Sequence, residues 1–171
     1  MIELPLRAPQ VLDRSHVTAN FDCGKAPLND FLRLYALTNA QSGNSRTFVV
    51  GDARNQVAGY YSLAAISIAQ ENAPQRVRQG QPGHPIPAIL MARFAVDKNA
   101  QGQGLGRSLF RDALLRCLNI TEELGVRAFV VDAKDEDALR FYNQFNMMAD
   151  FHDWHRLYLL FKDIKKILAG R

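Results

Sequence analysis

Ala88–Val96, AILMARFAV, is a nearly unbroken apolar run with Arg93 as its one interruption. A run of this kind fits a strand buried on both faces inside a sheet. Directly after it comes NAQGQGLGRSL, Asn99–Leu109, with glycine at the alternate positions 102, 104 and 106. Helical spacing then begins. Leu105, Leu109, Phe110, Ala113, Leu114, Cys117 and Leu118 mark one face, and Gly125 closes the segment. Strand, glycine-rich backbone and amphipathic helix in immediate succession demand a sheet with a helix laid against it. They also leave a bare stretch of main chain at the join.

The remaining elements agree with a mixed architecture. Ala26–Gly43 has Pro27 in a first turn and Leu28, Phe31, Leu32, Tyr35 and Asn39 at helical spacing. RTFVVGD and QVAGYYSLAAISIA read as two strands around a turn at Asp52–Asn55. Arg127–Ala133 and Trp154–Phe161 read as further strands. KDEDALRFYNQF reads as a short helix with acids in its first turn, and KDIKKILAG as a basic terminal helix. Ala69–Pro87, with four prolines and two arginines, is the one long irregular stretch. It reads either as a functional loop or as a surface excursion with or without a helical turn. The expected class is α/β (α+β): one mixed, mostly antiparallel central sheet flanked by helices. With 171 residues and 47% hydrophobic content, residues 1–171 are expected to form one domain.

Several function classes drop out. Cys23 and Cys117 form no C-x-x-C pair, and the four histidines add no zinc pattern, so no metal site is expected. No apolar run approaches membrane-spanning length, and MIELPLRAPQ lacks the features of a signal peptide. A cytoplasmic protein with two reduced thiols is the expectation. The net charge of +4 permits an anionic partner without requiring one.

Glycines let successive amides face one way, and a new helix adds its unpaired N–H groups and positive end. That combination suits a phosphate or pyrophosphate. Two nucleotide motifs nonetheless fail. A Walker A loop needs G-K-[ST], and Gly106 is followed by Arg107 and Ser108. A G-x-G-x-x-G fingerprint needs glycine where Arg107 or Leu109 stands.

Gln101-Gly102-Gln103-Gly104-Leu105-Gly106 does fit Q/R-x-x-G-x-G/A. In this the chain resembles the GNAT superfamily of N-acetyltransferases, whose acetyl-CoA loop has that pattern between strand and helix. A narrower similarity rests on six blocks in order: FDCGKAPLNDFLRLYA, RTFVV, VAGYYSLA, MARFAVDKNAQGQGLGRSLFRDALLRC, VRAFVVDAKDEDALRFYNQF and RLYLLF. Together these resemble the TacT-like acetyltransferase toxins of type II toxin–antitoxin systems, over most of the chain from about Phe21 to Phe161. The resemblance implies acetyl-CoA as cofactor, the amino group of aminoacyl-tRNA as acceptor, arrest of translation, a ribbon–helix–helix antitoxin and a homodimer.

Residue roles follow from the resemblance. Backbone of Phe94, Ala95 and Val96 would pair with the pantetheine arm, and one of these amides would polarise the thioester carbonyl. Amides from Gln101, Gly102, Gln103, Gly104, Leu105, Gly106, Arg107 and Ser108 would hold the pyrophosphate. The Arg107 side chain reads equally as added charge for it or as a solvated first-turn arginine. Tyr142 would be the acid that protonates the leaving thiolate, since a phenol of pKa ~10 keeps its proton at neutral pH. Asp135 stands where many members carry asparagine near the cofactor. Asn146-Met147 replaces the family's Gly-Phe after the helix, and Asn146 is expected to adopt the left-handed conformation glycine would supply.

Arg33, Arg46, Arg76, Arg78 and Arg93 are candidates for RNA contact, with Lys162, Lys165 and Lys166 at the C-terminus; each reads singly as an ordinary surface charge. A general base is not evident. His84, His152 and His155 are the candidates, and a weakly basic aminoacyl amine has no need of one. The competing readings are an N-acetyltransferase of a protein or small-molecule amine, and a non-catalytic acyl-CoA-binding module.

Overall fold

The computed structural model describes residues 2–150 and 152–170. The strands are β1 (Gln10–Val11), β2 (Arg46–Gly51), β3 (Val57–Ile68), β4 (Ile86–Val96), β5 (Ala128–Asp132), β6 (Met148–Ala149) and β7 (Arg156–Leu160). Helices α1 (Ala26–Asp30) and α2 (Ala36–Ser42) precede β2, and α3 (Gln75–Arg78) lies between β3 and β4. Helix α4 (Leu105–Ile120) follows β4, α5 (Glu136–Asn143) follows β5, and α6 (Phe161–Ala169) follows β7. Hydrogen-bonded neighbours run β1-β2-β3-β4-β5-β7-β6. The β1–β2, β2–β3, β5–β7 and β6–β7 pairs are antiparallel, and β4–β5 is parallel. This is the mixed, mostly antiparallel sheet expected.

The chain divides by its contacts into two compact units. The first is the chain up to Ala64 together with Ala92–Ala113; the second is Ala65–Met91 with the chain from Leu114 onward. In the first unit Leu12, Phe21, Phe31, Leu32, Tyr60 and Ala95 form the core. Tyr60 meets the Phe21 ring edge-on at 5.6 Å, and its hydroxyl donates to the Leu28 carbonyl at 2.7 Å. Its phenol thus gains apolar packing without an unsatisfied polar atom. In the second unit Ile68, Val77, Ile86, Val130, Tyr158 and Leu160 form a core of their own.

Two expectations need correction. The helix expected over Ala26–Gly43 is interrupted by a π-helical turn at Phe31–Tyr35. The wider turn displaces every later position, so Ala36 is fully buried while Tyr35, expected on the inward face, is 54% exposed. The strand expected to run to Phe161 ends at Leu160, and Phe161 is the first residue of α6. The two-residue strands β1 and β6 have too few residues to show a period.

The stretch Ala69–Pro87 is tied down. It contains a 3-10 turn at Gln70–Asn72 and the short helix α3. Arg127, just before β5, gathers the carbonyls of Val77, Arg76 and Gln79 at 2.9, 3.0 and 3.3 Å. These are carbonyls that a helix end leaves without intrahelical donors, and a guanidinium fork is shaped to collect them.

Candidate active site

The glycine-rich loop lies in the first unit, and its position is fixed from both ends. At the exit of β4 the buried Asp97 carboxylate accepts the amides of Asn99 at 2.8 Å and Asp22 at 3.0 Å. The Asp97 amide donates to the Ala58 carbonyl at 2.8 Å. Lys98 pairs with Asp22 at 2.9 Å, and this partner, the Gly24 amide and Asn29 hold the Asp22 carboxyl down at about 2. Gln101 turns its side-chain amide back to the Val96 carbonyl at 2.8 Å and the Cys23 carbonyl at 3.3 Å. The motif glutamine therefore locks the loop to the end of its own strand.

Beyond Gln101 the main chain is bare. Gly102 and Gly104 have φ of +77° and +84°, and a Cβ at either would meet nothing within 4 Å. Gln101, Gly102, Gln103, Gly104, Arg107 and Ser108 are exposed, with Leu105 and Gly106 half-buried. The Ser108 amide bonds back to the Gly104 carbonyl at 3.1 Å, which starts the α4 ladder. The first turn of a helix turns its amides outward, toward the helix's positive end. Exposed backbone at the positive end of a 16-residue helix, open in front of Gly102 and Gly104, fits a diphosphate.

Gly59 on β3 seats this helix, and the sequence reading missed it. A Cβ there would lie 3.2 Å from Leu109 Cδ2, 3.3 Å from the Ala95 carbonyl and 3.6 Å from Leu105 Cδ2. The first turns of α4 therefore rest on bare backbone of β3. An isolated glycine inside a strand pattern is the signal that was available. Of the strand residues, Ala95 is buried, while Phe94 and Val96 are half-buried; the Phe94 ring meets Phe110 edge-on at 6.1 Å.

Tyr142 lies on α5 in the second unit and is 5% exposed. Burial, and then the charge of Asp132, push its phenol well above the ordinary tyrosine value. The group is a neutral donor at physiological pH. Its ring packs edge-on against Phe141 at 5.3 Å. Asp135 caps α5, accepting the Ala138 amide at 2.9 Å, so its carboxylate has a structural task of its own. Asn146 has φ of +54°, the left-handed conformation expected of it.

Three of the five candidate arginines lie in the first unit and two in the second. In the first unit Arg33 donates to the Phe21 carbonyl at 3.0 Å and to Asp30 at 3.2 Å. Arg93 stacks 3.9 Å over the Phe31 ring, and Arg46 stands exposed at the start of β2. In the second unit Arg76 pairs with Asp163 at 3.0 Å, and Arg78 is exposed. Cys23 and Cys117 carry no disulfide; burial pushes the Cys117 thiol up to about 12.

The second unit also holds a cavity of about 650 Å³. It is bounded by the end of β3, the residues that follow β5 and the segment leading into β7. His152 and His155, two of the three histidine candidates, line it, together with Asp132 and the buried Asp150. His84 is exposed, and its carbonyl accepts from Gln70 at 3.1 Å.

Comparison with known proteins agrees with this geometry. Residues 43–146 match the acetyltransferase (GNAT) domain. The chain is 40% identical over 163 residues to a tRNA-acetylating toxin of Mycobacterium tuberculosis, covering 95% of this chain and 96% of that protein. Among solved structures, AtaT complexed with acetyl-methionyl-tRNAfMet superposes with a TM-score of 0.87 at 24% identity, covering 95% of this chain and 99% of the other. AtaTR bound with acetyl-CoA gives 0.82 at 25% identity, covering 95% and 93%. The strand, bare glycine loop and helix are thus those of an acetyltransferase, and the chain belongs to the GNAT acetyltransferase family.

Proposed function

We propose that the protein transfers the acetyl group of acetyl-CoA to the amino group of aminoacyl-tRNA and, by blocking that amine, stops translation. The observation that carries the reading is the glycine-rich loop Gln101–Ser108 at the head of α4, with open space in front of Gly102 and Gly104, in a chain 40% identical to a tRNA-acetylating toxin. Acetyl-CoA, when bound, supplies an acetyl thioester with a diphosphate at its far end. The amides of Gln101–Ser108 hold that diphosphate, with Arg107 beside them. Backbone of Phe94, Ala95 and Val96 holds the pantetheine arm. As the amine nitrogen bonds to the carbonyl carbon and the C–S bond breaks, Tyr142 Oη would donate its proton to the sulfur; the proton shed by the amine would pass to water, which would in turn reprotonate Tyr142. Burial and the nearby Asp132 carboxylate support this role, because both keep the phenol protonated until it is needed.

Residues 1–171 act as one acetyltransferase domain in this reading. The protein works as a cytoplasmic homodimer held in check by a ribbon–helix–helix antitoxin; no described helix is long and apolar enough to cross a membrane. Arg46 and Arg78 are the first candidates for the RNA backbone; Arg33 and Arg76, exposed but each paired with a carboxylate, and the half-buried Arg93 come behind them.

The test is incubation with labelled acetyl-CoA and charged total tRNA, beside a Tyr142→Phe control. Label on the aminoacyl end with wild type, reduced about 10²-fold or more in the variant, is expected. Label on protein or small amines in its place would sink the reading.

A further inference from the structure

The cavity of the second unit has a charge arrangement that calls for a particular ligand. Asp132, one of its carboxylates, is gripped by both prongs of Arg156 at 2.7 and 2.9 Å. Asp153 is exposed at the rim and accepts the His155 amide at 3.1 Å. Asp150 differs from both. It is 93% buried by its 7% exposure, and its two hydrogen-bond donors among the described residues are neutral. Tyr158 Oη donates to Oδ2 at 3.1 Å, and the His152 amide donates to Oδ1 at 2.8 Å. A carboxylate offers about four acceptor sites, so each oxygen keeps capacity toward the cavity. A buried carboxylate held by neutral donors is best completed by a cation or an amine.

A second observation stands at the rim. Trp154, the chain's one tryptophan, is 72% exposed between the cavity-lining residues Asp153 and His155. Its ring lies 6.1 Å from the His155 ring. Indole is a strong stacking surface for a nucleobase, and single-stranded RNA ends are read largely by such stacking.

Resting on the function proposed above, we propose that this cavity seats the acceptor's aminoacyl end, with Asp150 accepting a hydrogen bond from the α-amino group and Trp154 stacking on the 3′-terminal nucleobase. The volume of about 650 Å³ suits an amino acid and its ribose. Asp132 joins the cavity to the acid of the reaction, since it lines the wall and its charge is felt by the Tyr142 phenol. Lys134 lines the same cavity and would supply a cation for the last phosphate.

Trp154 reports on its own contacts by fluorescence. Deacylated total tRNA should quench it saturably, and the same tRNA trimmed of its terminal CCA should not. With charged tRNA, Trp154→Ala should raise KM about tenfold and Trp154→Phe much less, each with kcat nearly unchanged. Asp150→Asn should also raise that KM about tenfold. Tyr158→Phe keeps the charge, removes only a donor, and should raise it by less. Acetyl-CoA affinity should stay within twofold of wild type throughout. Equal quenching by intact and trimmed tRNA, or an unchanged KM in both Trp154→Ala and Asp150→Asn, would overturn the proposal. Acetyl-CoA affinity lost in step with KM would overturn it as well, by assigning the cavity to the cofactor. Wild-type protein that acetylates no aminoacyl-tRNA refutes the proposed function, while the quenching comparison still decides the cavity.

Discussion

Gly104→Ala separates two reasons for the glycines of the loop. At φ +84° an alanine is strained in the left-handed region by about 1–2 kcal/mol. The added Cβ meets nothing within 4 Å, so no clash is added. Replacing glycine also restricts the unfolded chain, which returns about 0.4–1 kcal/mol. The net loss is then about 0–1.5 kcal/mol, a fall in Tm of at most about 6 °C for 171 residues. Acetyl-CoA affinity answers to different physics. A methyl group in front of the amides blocks their approach to a diphosphate, and losing one or two charge-assisted hydrogen bonds weakens binding about tenfold or more. Gly104→Asn sharpens the contrast, because asparagine tolerates the left-handed region yet keeps a side chain in the way. Calorimetric titration with acetyl-CoA and thermal melts of all three proteins form the assay. Tm should recover in the asparagine variant while affinity stays low. If asparagine restores both, the glycines serve only to turn the chain and the cradle is misassigned. A fall in Tm above about 10 °C in the alanine variant would show that the space around Gly104 is not open.

Gly59→Ala should cost about 1–3 kcal/mol in denaturant unfolding, since the Ala95 carbonyl at 3.3 Å is backbone and cannot swing aside; it should also weaken acetyl-CoA binding by lifting α4 off β3. Stability and affinity both within error of wild type would refute that coupling. Arg127→Ala should free the α3 carbonyls and speed limited trypsin cleavage after Arg76 and Arg78, visible on a gel, with acetyl-CoA affinity unchanged. Alkali should unfold the protein. Burial raises the Cys117 thiol to about 12 and also raises the Tyr60, Tyr142 and Tyr158 phenols. Groups whose folded values are raised hold the native state fully below their unfolded values, about 8.5 for cysteine and 10 for tyrosine, and release it as pH climbs toward the folded ones. Urea midpoints should therefore be flat up to about pH 8.5 and fall steadily above it; a flat profile through pH 11 would contradict the burial of these groups.

The two halves of the chemistry were unequally legible. The proposed cofactor loop is local: Gln101, Gly102 and Gly104 are near neighbours, the glycines leave the main chain open, and their spacing announces it directly. The buried strand before the loop and the amphipathic helix after it were readable for the same reason. What sequence periodicity missed is non-local. Gly59 matters because Leu109 and the Ala95 carbonyl come to it from elsewhere in the chain. Arg127 matters because three carbonyls some fifty residues away converge on it. The π turn at Phe31–Tyr35 defeated a strict 3.6-residue count by inserting extra backbone, which turned Tyr35 outward. The cavity is the extreme case. Ser67, Asp132, Asp150 and Tyr158 belong to different elements, and the standing of Asp150 depends on Arg156 choosing Asp132. In the proposed function the donor of the acetyl group is held by backbone, which spacing reveals. In the proposed cavity the acceptor is chosen by side chains whose charges balance only after folding, and so the residues of the cavity wall, more than the loop, are where relatives that share the glycine motif should differ in the amine they acetylate.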